Sequence, residues 1–312
     1  MEEQTYDNEL TTQRVITPSI NAITPSHCGA EVAPPMKDSL RDRQPACPSC
    51  AGASSMPLSY VYALGRIEPR FPRLSVEKEF AQAIGRADTA GQTDQQVLQS
   101  VLSKTENRYL ARQMCWVMTI QGLETYLLRP RDPLDFEALA QTIRREPSPL
   151  DIDVVIGLRG PIAPPETCNG LTLPIVFFDQ IYSFDRDTLI KAIPKPEKVK
   201  PDQFAHTAEE VFNRIIQLAD NAGATDEHRA LNYLTLRYPN VYATAVDEFA
   251  RDFSLSAVEA LLAPLSGARK LIDVIFTFTN RNTDFTEKFS VRVDVTEEFP
   301  FLVRKLTPYY DR

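Results

Sequence analysis

The chain has 312 residues, 43% hydrophobic and 24% charged, which is ordinary for a globular protein and enough to bury one large core or two small ones. Its net charge of −8, without a long Lys/Arg stripe, excludes the electrostatic footprint of a nucleic-acid binder. No apolar run approaches the ~18 residues a bilayer span needs, and the acidic start Met1-Glu-Glu-Gln lacks the apolar stretch of a secretory signal. A cytoplasmic protein with no membrane partner is therefore expected. Its five cysteines, an odd number, are expected as reduced thiols used for burial or metal.

Residues 1–57 hold seven of the 24 prolines, and segments such as Ile16-Thr-Pro-Ser and Val32-Ala-Pro-Pro have no amphipathic period. This composition predicts a flexible, disordered Pro-rich arm over residues 1–44, of the kind that links domains. A globular domain is expected over 45–312, with a division into 45–200 and 201–312 as an option.

Ser59-Tyr-Val-Tyr-Ala-Leu-Gly65 reads as a strand of aromatic and branched residues. A helix follows from Ser75, and Thr93-Asp-Gln-Gln96 is a capping box opening the next. Met114–Ile120 and Leu123–Leu128 flank Gln121-Gly122, a tight hairpin turn. Asp135–Arg145 has a helical stripe, and 152–156 and 173–182 read as strands around a Pro-rich loop. Thr207-Ala-Glu-Glu210 reads as a second capping box, starting a helix with Val211, Phe212, Ile215 and Ile216 on one face. Two more helices are predicted over 225–237 and 241–251. The alternations Ile272/Val274/Phe276/Phe278 and Phe289/Val291/Val293/Val295 predict an antiparallel hairpin with one buried face, Ser290 and Arg292 lying opposite. The expected class is α+β, an antiparallel sheet with packed helices.

Nucleotide, phosphate-loop, zincin and nucleophile-elbow signatures do not occur in the sequence. His27, His206 and His228 are the three histidines, the last two at expected helix starts, where a polar residue is ordinary. Asp151 and Asp153 bracket the start of one strand, and Asp179, Asp185 and Asp187 cluster near another. Paired carboxylates can do acid–base work, but strand ends and turns favour Asp for backbone reasons alone. Arg159, Arg129 and Arg131 could hold a carboxylate or peptide terminus in a planar fork, or simply sit in solvent. Cys47-Pro-Ser-Cys50 offers two thiolates with zinc-knuckle spacing, and Cys168 and Cys115 are the third and fourth candidate ligands of a structural zinc. His27 and Cys28 are outside candidates. A redox pair and plain thiols remain the competing readings.

Several segments together resemble a known family: Tyr60-Val-Tyr-Ala-Leu-Gly-Arg-Ile-Glu68, Arg73–Phe80, Asn107-Arg-Tyr-Leu110, Asp151–Gly157, Arg159–Pro165 and Asp273–Asp311. They resemble the C-terminal domain shared by the PatA and PatG types of cyanobactin maturation protease, from about Cys47 to the C-terminus. The resemblance implies a setting of ribosomal peptides trimmed and macrocyclised by subtilisin-like domains. The subtilisin-type Ser, His and Asp contexts do not occur in this sequence, so proteolysis is not carried over. A non-proteolytic accessory or scaffold role follows, with a precursor peptide or a subtilisin-like maturation protease as partner. The alternatives are a peptide-modifying enzyme using the Asp and Arg residues above, and a dimerisation domain pairing as a homodimer.

Overall fold

The computed structural model describes residues 59–85, 91–148, 151–185, 188, 201–216, 221–264 and 267–310. The arm expected over 1–44, Cys47, Cys50, His27 and Asp187 lie outside the described residues.

Strand β1 (Tyr60–Arg70) is followed by helices α1 (Leu74–Ile84), α2 (Asp94–Leu102) and α3 (Arg108–Gln113). Strands β2 (Cys115–Ile120) and β3 (Leu123–Pro130) form the expected hairpin, and both turn residues, Gln121 and Gly122, take positive φ, as a two-residue hairpin turn requires. Helix α4 (Phe136–Gln141), β4 (Asp151–Ile162) and β5 (Pro174–Asp185) complete this half. The five strands close into a barrel in the order β1-β2-β3-β5-β4, antiparallel except for the parallel β3–β5 pair. That order, with a helix between β3 and β4, is the OB-type barrel topology.

The barrel interior is filled by Trp116, Met118, Leu128, Val155 and Phe178, and it continues into α1–α4 through Phe80, Leu102, Leu110 and Leu139. The outer face of β2–β3, which OB-type barrels use for oligonucleotides, is covered here by the chain itself. Val117 and Leu127 pack under Ala163, Cys168 and Leu171 of the β4–β5 connection.

The second half is α5 (Pro201–Ile216), α6 (Asp226–Arg237) and α7 (Asn240–Phe249), then β6 (Phe253–Leu262), β7 (Leu271–Asn280), β8 (Thr286–Asp294) and β9 (Phe301–Pro308). The strands form an antiparallel sheet in the order β6-β7-β8-β9. Its face of Ile272, Val274, Phe276, Phe278, Val291 and Val293 packs against Val211, Phe212 and Ile215 of α5, the stripe matched in the sequence. With seven helices and two antiparallel-rich sheets among the described residues, the chain is α+β.

Two local expectations are corrected. Thr207 does not start a helix: α5 begins at Pro201, where the fixed proline φ suits a first turn, and Thr207 is buried inside it. The stripe over 135–145 yields only a 3₁₀ turn and the short α4. Strand β6 was not foreseen, because Ser-Ala-Val-Glu-Ala-Leu-Leu favours helix, and pairing with β7 overrides that preference. The face opposite the core is also only partly solvated, since Ser290 is buried and Arg292 forms a bidentate pair with Asp273 across β7–β8, both bonds 2.7 Å.

Candidate functional site

The barrel meets the second half along β1, β4 and β5. Tyr62, Leu64, Val154 and Ile156 face outward there and pack with Tyr182, Tyr233 and Leu236. Buried amides fix the docking. Asn232 of α6 donates to the Tyr62 carbonyl at 2.7 Å, and Asn221 donates to Asn232 at 2.9 Å. Tyr62 N–H in turn donates to the Gly223 carbonyl at 2.9 Å. Gly223 has φ +73°, and a Cβ there would meet the Ala63 Cα at 2.6 Å, so the close approach demands glycine.

A bulge on β5 aims one carboxylate into this seam. Gln180 pairs with Ile156 and Phe178 with Gly157, leaving Asp179 as the extra residue. Gly157 permits it, because a Cβ would meet the Phe178 Cα at 2.5 Å. Arg131, just past β3, donates to Asp179 at 2.7 Å and lies 3.6 Å from Glu298 in the β8–β9 connection. Burial, a hydrogen bond with Asp179 and the charge of Asp179 push the Glu298 carboxyl up to about 8, against the pull of Arg131 and Arg229. Arg229, fully buried, donates to the backbone carbonyls of Val295 at 2.8 Å and Glu298 at 3.2 Å, and lies over the Tyr60 ring at 5.2 Å. Arg229 therefore ties the Glu298 loop to α6, and Glu298, beside Asp179, holds a proton near neutral pH. Such a pair is competent for proton transfer.

Beside this pair lies a cleft of about 440 Å³ lined by Tyr62, Tyr182, Tyr233, Phe299, Gln180 and Arg237. The Arg237 guanidinium sits 5.2 Å from the centre of the Tyr182 ring and donates to the Tyr62 hydroxyl, whose own ionisation burial pushes up to about 12. Arg237 is itself exposed, at the C-terminal end of α6, where a cation favours the helix dipole.

The other expected site residues go elsewhere. Asp153 accepts from Ser183 at 2.6 Å, Ile67 N–H at 2.8 Å and Arg144 at 3.1 Å, and Arg144 also pairs with Asp151 at 3.4 Å. Asp153 is thus spent on holding β4 to β1 and β5, and Asp151 on fixing the segment that leads into β4 through Arg144 and the Ser148 N–H. Asp185 lies opposite Asp151 at the far end of β5. Arg131 reaches the seam, but Arg129 and Arg159 pair in register with Phe177 and Val176 on either side of β5, so the three arginines do not share one site. His206 is exposed on α5, and His228 N–H is capped by Thr225. Cys115 and Cys168 come together with their Cα atoms 5.7 Å apart and are joined in a disulfide. Among the described residues no group of three or more His, Cys, Asp or Glu could hold a metal ion.

Sequence reasoning missed Glu298, Arg229, Arg237 and the tyrosines of the cleft. The outward parity of Tyr60 and Tyr62 on β1 was the one signal available, and their partners lie more than a hundred residues away.

Fold and seam together define an α+β protein in which an OB-type barrel docks on a helix-backed antiparallel sheet. Residues 198–309, spanning the helical block and that sheet, match the family model described as PatG C-terminal. A solved structure titled "PatG Domain of Unknown Function" superposes with a TM-score of 0.65 at 21% identity, covering 80% of this chain and 98% of that one. No curated protein matches. The chain thus carries a PatG C-terminal-type domain, and the fold likeness extends beyond the matched region into the barrel. Among the described residues, no helix is long and apolar enough to cross a membrane.

Proposed function

We propose that this chain is a non-proteolytic accessory domain of cyanobactin-type peptide maturation, acting in the cytoplasm, which binds a precursor peptide or the maturation protease through the aromatic cleft at the seam. The cleft carries the reading. Tyr62, Tyr182, Tyr233 and Phe299 converge there beside Arg237, and aromatic walls with a few polar groups are what peptide grooves use. The PatG C-terminal match supplies the setting. Fluorescence anisotropy with a labelled precursor peptide tests it: wild type binds, and a Tyr182→Ala/Tyr233→Ala variant that still folds loses binding. Equal binding by the two would remove the cleft from the reading.

The Asp179–Glu298 pair favours a second reading, a peptide-modifying enzyme in which protonated Glu298 acts as acid and Asp179 as base. Incubation with precursor peptide and mass analysis decides between them, since the accessory reading requires no mass change.

A structural zinc on Cys47 and Cys50 belongs to the same proposal. Cys115 and Cys168, joined in a disulfide, offer it no thiolate. Metal analysis of protein never exposed to chelator should find close to one zinc per chain.

A further inference from the structure

We propose that the cleft is a receptor for the free C-terminus of a peptide ending in an aromatic or large apolar residue, with Arg237 as the carboxylate anchor. This rests on the peptide-binding reading and specifies its ligand.

The argument begins with charge. The chain has 42 Asp and Glu against 34 Lys and Arg, and Arg131, Arg144, Arg229 and Arg292 all form ion pairs with carboxylates. Arg237 differs. Among the described residues no carboxylate pairs with it, and the cleft it lines contains no acidic side chain. It is held instead by an aromatic face and a phenol oxygen, which fix the plane of the guanidinium without neutralising it. A planar, pre-oriented cation lacking its counter-ion matches a carboxylate in charge and geometry.

The size and layout of the cleft then choose the source of that carboxylate. Its volume of about 440 Å³ is at the small end of ligand sites and suits about one residue. Cation and aromatic walls are contiguous, since Arg237 stacks on Tyr182 itself. In an extended peptide neighbouring side chains point to opposite faces, so an internal acidic residue cannot put both its carboxylate and the next apolar side chain into one such cleft. A C-terminal residue carries both groups on one Cα. The nearby carboxyl pair does not oppose an anion, because Asp179 is ion-paired with Arg131 and Glu298 holds its proton near neutral pH.

The test uses the full chain and three fluorescein-labelled peptides of the same composition: one ending in Phe with a free carboxylate, its C-terminally amidated twin, and an amidated peptide with Glu-Phe at its centre. Binding to the free acid should exceed binding to each of the others by about 10- to 100-fold, the value of a charge-assisted hydrogen-bonded contact. Arg237→Gln should erase the difference between acid and amide, and Arg237→Lys should restore part of it. If acid and amide bind wild type equally, the anchor is wrong while peptide binding stands. Preference for the internal Glu-Phe peptide would also overturn it, moving recognition to an acidic side chain. If none of the three binds, the free-terminus proposal fails, and binding of the longer precursor peptide is then read separately. The acid–amide comparison is made on wild-type protein, so it holds even if the Arg237 variants fold poorly.

Discussion

Asn232 of α6 donates a 2.7 Å hydrogen bond to the main-chain carbonyl of Tyr62 in β1, joining the helix that backs the sheet to a strand of the barrel. Both groups are buried, and Asn221 completes the network at 2.9 Å. Asn232→Ala would leave the Tyr62 carbonyl and the Asn221 amide without partners in a dry interface. A loss of about 1–3 kcal/mol is expected. Urea unfolding would register it as a lower midpoint, and a second transition would mark uncoupling of barrel from sheet. An unchanged midpoint would mean that water replaces the amide at no cost.

Glu298 makes stability depend on pH. Its folded-state value of about 8 stands above the ordinary 4.5, so between those two pH values the native chain holds a proton that the unfolded chain has released. Its contribution to stability is complete below about pH 4.5 and is lost as the pH rises towards 8. Glu298→Gln keeps a donor toward Asp179 and never ionises. The variant should match wild type near pH 5 and exceed it in melting temperature near pH 9. A gap that does not change with pH would show that Glu298 is charged in the fold throughout.

Phe276 and Arg292 report on the two faces of the C-terminal sheet. Phe276 is 1% exposed within the core shared with α5, and its truncation to Ala should cost about 3–5 kcal/mol. Arg292→Ala removes a partly exposed bidentate contact to Asp273 and should cost about 1–2 kcal/mol, between an exposed ion pair and a buried one. Denaturant midpoints of the two variants give the ratio, and equal losses would contradict the partial exposure of the Arg292 face.

The Cys115–Cys168 bridge spans 53 positions of sequence. Closing a loop of that length limits the unfolded chain by about 4 kcal/mol in the chain-entropy model. Cys168→Ser should therefore lower the melting temperature clearly, and dithiothreitol should lower that of wild type alone. Of five cysteines two are in the bridge, so denatured, unreduced, chelator-treated protein should titrate three thiols per chain. Finding five would mean the pair is reduced in the purified protein.

Alternation and capping were legible in the sequence because they are local. Phe276 and Phe278, two apart, must share a strand face whatever lies beyond them, and Thr93 caps α2 through Gln96 three residues away. The face of α5 that the sheet would bury could be read in the same way. Barrel closure could not, since the parallel β3–β5 pairing joins Leu127 to Ile175 with no local signal at either. Strand β6 was hidden for the same reason: its helix-favouring residues become strand only when β7 supplies hydrogen-bond partners. The candidate site lay furthest from reach. Asp179 needs a bulge against Gly157, Glu298 needs the anchoring of its loop by Arg229, and Arg237 needs tyrosines from β1 and β5. Burial and charge environment are set by residues distant in sequence, so the sequence named only Arg131 and Asp179 of this group, and the tertiary structure alone brought them to Glu298, Arg229 and Arg237.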